Sequence, residues 1–293
     1  DWILFGVFVL LMLSGVPLAV TLGLAGTAVV TLAGLGTMSL PTNVYTGIAK
    51  YPLLAIPVFV LAGLILERAG VAASIVRFAS SIVGQRRGGL ATVAVLVAMI
   101  LGGISGSGPA DSAAVGAVML PSMLRAGYPK PFAAALIAAA GSTDILIPPS
   151  IAFIIYSLLV PQASVPALFA AGLIPGVLSG LTLIAVAAWL SVRHNFEAET
   201  REPRPPFWRS LKEAFWGLAA PIIILGGMRS GWFTPTEAAV VAAFYGLFVG
   251  MVVHRTIRFG DLFDIFREAA ELSAVIMLIL GLAGIFAYSV NTL

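Results

Sequence analysis

The sequence predicts an all-α integral membrane fold built around a re-entrant helical hairpin and a broken transmembrane helix. Three observations predict it. The 293 residues are 60% hydrophobic and only 10% charged, where a soluble domain carries about 25% charged residues. An apolar stretch over 88–125 has a polar, glycine-rich centre, Gly102-Gly103-Ile104-Ser105-Gly106-Ser107-Gly108-Pro109-Ala110-Asp111-Ser112, and basic residues at both ends. A second stretch, 130–160, is interrupted by Gly141-Ser142-Thr143-Asp144-Ile145-Leu146-Ile147-Pro148-Pro149-Ser150.

In chain order, residues 2–36 form one apolar run that contains Gly15 and Pro17 and reads as a single tilted crossing. It is too long for a signal-peptide core. Residues 40–51 make a short interfacial piece, and 52–67 cross again to Glu67 and Arg68. Over 71–83, Val71, Ile75, Phe78 and Ile82 share one face with Ser74, Arg77 and Ser81 off it, the pattern of a helix lying in the interface plane.

The hairpin follows. Each apolar arm is about 15 residues long, short of the ~20 that a crossing needs. Arg86 and Arg87 precede it, Arg125 and Lys130 follow it, and basic residues favour the cytoplasmic side. Both ends therefore fall on one face, with the tip at membrane depth, where irregular backbone survives only inside protein or beside a water-filled cavity. In 130–160, Pro148 and Pro149 push their preceding residues into extended conformations and withhold two amide donors, so carbonyls one turn earlier lose their partners.

Residues 167–192 return to a charged segment, 194–213, whose Pro203-Arg204-Pro205-Pro206 core reads as a cytoplasmic linker. Residues 214–228 cross outward and 237–254 cross inward. Phe259, Leu262, Phe263 and Phe266, spaced i, i+3, i+4, i+7, predict a second in-plane helix, and 272–290 begin the last crossing. The basic clusters at 68–87, 125–130, 193–212 and 255–267 then share one side, with Lys50 and Arg229 as isolated exceptions. Ala49–Leu64 and Ala270–Ile285 align without gaps through Ala49/Ala270, Ala62/Ala283 and Gly63/Gly284 and run in opposite directions, as an inverted repeat requires. The second copy should continue into a partner hairpin, so the chain reads as C-terminally incomplete.

Of thirteen acidic residues, Asp111, Asp144 and Glu237 lie away from the charged interfacial segments. A buried membrane acid is costly and needs a reason. Asp111 follows Pro109 at a helix start, near the positive end of the helix dipole; it is an acid held by its own backbone amides, part of an ion or substrate site, or both. Asp144, beside Ser142 and Thr143 and before the Pro-Pro pair, either faces a water-filled vestibule or joins hydroxyls and freed carbonyls in a hard oxygen set for Na⁺ or a coupling proton. Thr234-Pro235-Thr236-Glu237 reads as a capping box. Gly103-Ile104-Ser105-Gly106 matches the Gly-x-Ser-Gly of intramembrane serine proteases, but both histidines, His194 and His254, sit at polar helix ends, where no base is available. With no cysteine, thiol, disulfide and iron–sulfur chemistry are excluded. The slight excess of Lys and Arg follows membrane topology rather than nucleic-acid binding.

These features describe a secondary transporter rather than an enzyme. Gly103-Ile104-Ser105-Gly106-Ser107, Ala110-Asp111-Ser112-Ala113-Ala114-Val115-Gly116, Ile147-Pro148-Pro149-Ser150 and Phe233-Thr234-Pro235-Thr236-Glu237-Ala238-Ala239 resemble, in order, the large membrane subunit of tripartite ATP-independent periplasmic (TRAP) transporters. The resemblance implies an elevator-type, ion-transporter-superfamily-like permease of the bacterial inner membrane. It implies symport driven by Na⁺ without a bound cofactor, import of small organic acids such as C4-dicarboxylates or sialic acid, a smaller membrane subunit, and a periplasmic substrate-binding protein. Carried over, the site comprises Ser105, Gly106, Ser107, Asp111, Ser112, Thr143, Asp144, Ile147, Pro148 and Pro149, with Na⁺ at Ser107, Asp111, Asp144, Ile147 and Pro149. Asp144 departs from the family pattern, which favours a small residue there. The implied organisation is scaffold helices over 1–70, an arm helix over 71–87, a transport region over 88–160, a transmembrane helix over 161–193, the linker over 194–213, scaffold helices of the second half over 214–255, and an arm helix opening the second repeat over 256–293. A related organic-anion or ion/proton antiporter working without a binding protein, and a membrane assembly factor without transport, are the competing readings.

Overall fold

A computed structural model describes residues 2–84, 86–160, 162–196 and 205–292. Thirteen α-helices and no strand occur among the described residues. They form two compact units: residues up to Leu54 together with those from Arg267 onward, and Ala55–Phe266.

In the first unit, α1 (Trp2–Leu13) and α2 (Leu18–Leu32) pack against each other, with Leu4 buried against Ala25 and Val29. The predicted single crossing is therefore corrected to two short helices that fold back on one another. Gly15, at φ 83°, takes a left-handed conformation that ends α1, and Pro17 opens α2. Helix α3 (Ser39–Ile48) and a 3₁₀ turn (Tyr51–Leu54) follow. Gly26 and Ser289 touch, the Ser289 hydroxyl donating to the Gly26 carbonyl at 3.2 Å.

The second unit begins with α4 (Ala55–Arg68), turns at Gly70 (φ 74°), and continues as α5 (Val71–Val83). The α5 bounds match expectation but its buried face does not. Ser74 and Ser81 are buried while Ile82 is exposed. Each serine donates to its own helix, Ser74 to the Val71 carbonyl and Ser81 to that of Phe78, so it can be buried without a desolvation penalty. Helices α6 (Gly89–Ser105) and α7 (Gly108–Arg125) form the hairpin. Helices α8 (Lys130–Asp144) and α9 (Ile151–Leu159) flank a break narrower than predicted, 145–150. Then come α10 (Val165–Arg193), α11 (Phe207–Arg229) and α12 (Pro235–Phe248), which runs into a π turn at Val249–Val253. The latter part of the predicted linker is already helical within α11; the 197–204 portion, including Pro203 and Arg204, lies outside the described residues.

Helix α13 (Asp261–Thr292) is continuous. The predicted in-plane helix and last crossing are one element, because no glycine or proline lies between Asp261 and Leu280 to stop it. The two aligned segments thus differ locally: the first includes the 3₁₀ turn, the second lies within an unbroken helix.

Among the described residues, five helical segments are long and apolar enough to cross a membrane: Tyr51–Arg68, Val165–Arg193, Phe207–Arg229, Pro235–Val253 and Asp261–Thr292. Helix α10 exposes Ile174, Leu178, Leu181, Trp189 and Val192 along its length, a surface that suits lipid rather than water. The chain is a multi-pass membrane protein. At the start of α12 the capping box forms as predicted: the Thr234 hydroxyl accepts from the Glu237 amide at 3.3 Å, and the Glu237 carboxylate accepts from the Thr234 amide at 2.8 Å. Thr234→Ala should destabilise this helix start by about 1 kcal/mol. Faster hydrogen exchange in the first turn of α12, with the rest of the helix unchanged, is the expected measurement.

Candidate functional site

The hairpin turns at Gly106, whose φ of 65° favours glycine. Its amide closes α6 on the Gly102 carbonyl at 3.1 Å. Ser107 is extended, and Pro109 sits in the first turn of α7. Ser105 organises the tip: its hydroxyl donates to Asp111 Oδ2 at 2.6 Å and accepts from the Ser107 amide at 3.1 Å. Asp111 is buried. Its carboxylate is held by the Ser105 side chain from the opposite arm, rather than by the amides of its own helix.

In the break, the expected free carbonyls are largely re-paired. Pro148 and Pro149 withhold donors from the Asp144 and Ile145 carbonyls, yet the Ile147 amide reaches Asp144 O at 3.1 Å and the Ser150 hydroxyl reaches Ile145 O at 2.6 Å. Thr143 donates to the Ala140 carbonyl at 2.7 Å. Ser142 is exposed, bonds the Ala139 carbonyl and stays outside the site. The Pro148–Pro149 peptide is cis. What remains unsatisfied is the Asp144 side chain, fully buried and with neither oxygen hydrogen-bonded among the described residues. Such a carboxylate costs several kcal/mol, roughly, unless a cation or a proton compensates it.

Glycines bring tip and break into backbone contact. A methyl group built on Gly102 would lie 2.7 Å from Asp144 Cβ and 2.8 Å from its Cα. One on Gly106 would overlap the Pro149 carbonyl, and one on Gly108 would overlap that of Gly141. On Gly103 it would meet Pro148 O at 3.6 Å and Ile147 Cγ2 at 3.7 Å. Gly141 leaves room for Ser112 in the same way. The ten predicted residues thus lie in the tip, in the break or in the helix ends that flank them, within one interlocked hairpin–break unit, and Asp111 and Asp144 lie within electrostatic reach of each other. Helix α4 closes on this unit through Gly63, where a methyl would fall 3.2 Å from Ser105 Cα.

The sequence reading missed Glu67. It lines, with Ser105, Asp111 and Gly63, a cavity of about 10 Å³, room for one water-sized particle. In the sequence, Glu67 is only the end of the 52–67 crossing, next to Arg68. The available signal was its spacing, one helical turn after Gly63, on the face that meets the hairpin.

Residues 5–293 match the family model for the DctM component of the tripartite ATP-independent periplasmic transporter. The chain is 40% identical, over 97% of its length and 45% of the relative's, to the isethionate TRAP transporter permease protein DctMQ of Oleidesulfovibrio alaskensis. It is 41% identical to the C4-dicarboxylate TRAP transporter large permease protein DctM of Pseudomonas aeruginosa, over 93% of the chain and 64% of that protein. It is 40% identical to the 2,3-diketo-L-gulonate TRAP transporter large permease protein YiaN of Escherichia coli, over 94% and 65%. The chain spans less than two thirds of the length of these three relatives. The family model nevertheless accounts for almost all of its residues, and the chain belongs to the tripartite ATP-independent periplasmic transporters, as their DctM component.

Proposed function

We propose that this chain is the permease of a Na⁺-coupled, binding-protein-dependent importer of small organic acids in a bacterial inner membrane. It works beside a smaller membrane subunit and a periplasmic substrate-binding protein and carries out no chemical conversion. One observation carries the reading: a hairpin tip and a helix break interlock through glycines around two buried carboxyls, one of which has no hydrogen-bond partner among the described residues. Buried acids of this kind in membrane segments belong to ion paths. Ser107, Asp111, Asp144, Ile147 and Pro149 supply the hydroxyl, carboxylate and carbonyl oxygens that a hard monovalent cation takes. Compensating Asp144 with Na⁺ lowers the cost of the closed tip–break contact, so cation binding favours a transport unit that moves as a body in an elevator-type cycle. Ser105, Gly106, Ser112, Thr143 and Pro148 shape the same unit and border the path of the substrate.

Relatives similar to a comparable degree are named for isethionate, a C4-dicarboxylate and a diketogulonate. The shared chemistry is a small organic anion, and the choice among them rests with the binding protein. Uptake by proteoliposomes carrying this permease with its small subunit and binding protein should need an inward Na⁺ gradient and should fall to background in K⁺. Equal uptake without Na⁺ and without the binding protein would favour a stand-alone antiporter.

The hairpin enters and leaves on the cytoplasmic face in this reading. The chain has no cysteine, so single-cysteine labelling is unambiguous. Arg86→Cys and Lys130→Cys, both exposed positions, should react with an impermeant maleimide from the cytoplasmic side only. Labelling from opposite sides would require a spanning hairpin.

A further inference from the structure

Within the second unit, the turn between α4 and α5, α5 itself, α11 and the π turn surround a cleft of about 430 Å³, lined among others by Ser74, Arg77, Lys212, Glu213, Trp216 and His254. That volume is in the range of small-molecule sites. Its charge is unbalanced. The Glu213 carboxylate accepts from Arg77 Nε at 2.9 Å and from Arg209 Nε at 3.2 Å. Lys212 is exposed and forms no ion pair among the described residues. In the lining, Arg77 and Lys212 stand against the single carboxylate of Glu213, leaving one positive charge over. His254 adds a polar ring: its Nδ1 lies 2.7 Å from the Ala69 carbonyl. A carbonyl only accepts, so Nδ1 carries the hydrogen and Nε2 is the ring's remaining polar atom.

The surroundings belong to a membrane interface. Arg68, Arg255 and Arg258 flank the cleft in sequence, and basic clusters of this kind mark the cytoplasmic side. On α11, Trp208 is 78% and Phe215 56% exposed, aromatic surface of the sort that sits at headgroup level. Cytoplasmic leaflets carry anionic lipids, and basic pockets between membrane helices hold their headgroups.

We propose that this cleft binds a phosphate-bearing anion, the headgroup of an anionic phospholipid of the cytoplasmic leaflet, with Arg77 and Lys212 as its cationic ligands and Trp216 on its apolar side. The size of the cleft and the exposed aromatic residues beside it favour a lipid over free phosphate. Bound there, the lipid bridges α5 to α11, the helices that Arg77 and Glu213 already join.

The test is a thermal-shift titration of the purified full chain in detergent with dioleoylphosphatidylglycerol, dioleoylphosphatidylcholine or inorganic phosphate. Phosphatidylglycerol should stabilise in a saturable way and the other two should not. Lys212→Gln, an exposed substitution, should weaken the phosphatidylglycerol midpoint about fivefold, and Lys212→Gln with Arg77→Gln should weaken it further. Lys130→Gln, which removes an exposed charge elsewhere, should leave it unchanged. An unchanged midpoint in Lys212→Gln, or an equal loss in Lys130→Gln, would overturn the site. Full stabilisation by inorganic phosphate alone would overturn the lipid assignment.

Discussion

Gly106→Val is expected to abolish uptake and to lower the unfolding temperature by several degrees. At φ 65° a β-branched side chain is strained, at a cost of about 1–2 kcal/mol from the backbone alone. The added Cβ also overlaps the Pro149 carbonyl and comes within 3.2 Å of Ser150 Cα. Neither neighbour can swing aside, because both are backbone. The tip must therefore separate from the break, which exposes Asp111 and Asp144 together. Gly226→Ala is the control: a methyl there meets nothing within 4 Å, and Gly226 lies in a regular stretch of α11. It should transport like the parent protein. Normal uptake by Gly106→Val would mean that close packing of tip on break is not needed for the cycle.

Asp144→Asn is expected to separate stability from coupling. The substitution keeps the shape but removes a buried charge that no group among the described residues satisfies. Relieving such a burden is neutral or stabilising, so the unfolding temperature measured without Na⁺ should hold or rise. Uptake at limiting Na⁺ should fall by at least about tenfold, the equivalent of ~1.4 kcal/mol of lost cation affinity. Its dependence on Na⁺ concentration should flatten. A variant that loses stability and keeps its Na⁺ dependence would instead make Asp144 a vestibule residue.

The hairpin and the break were legible because glycine, proline and charge are local signals. Gly106 and the Pro148–Pro149 pair interrupt apolar runs, and arginines mark the ends. Where only hydropathy spoke, the reading erred. Residues 2–36 are apolar throughout, so the reversal at Gly15 and Pro17 looked like a defect in one crossing. Around the start of α13, aromatic periodicity suggested a separate in-plane helix, although Phe259 and Phe263 are exposed and Ile265 is buried. Ser74 and Ser81 showed that hydroxyls can sit on a buried face by bonding their own helix. Within the candidate site, sequence singled out the two carboxyls that the fold buries but overcounted free carbonyls, because it could not show that Ile147 and Ser150 fold back to replace the missing proline donors. Glu67 was hidden by its neighbour Arg68, and its place beside Asp111 depends on the Gly63 contact between α4 and the tip. Long-range glycine contacts such as Gly102 with Asp144 have no sequence signature beyond the glycine itself.

The most direct test of a cation site between tip and break is equilibrium binding of radioactive ²²Na⁺ to the purified protein, free of partners and substrate. The parent protein should bind Na⁺ saturably, with competition by unlabelled Na⁺ and not by K⁺. Asp144→Asn should bind at least about tenfold more weakly, and Asp111→Asn should also lose affinity. Identical isotherms for the parent and Asp144→Asn, or no saturable binding by the parent, would contradict the account.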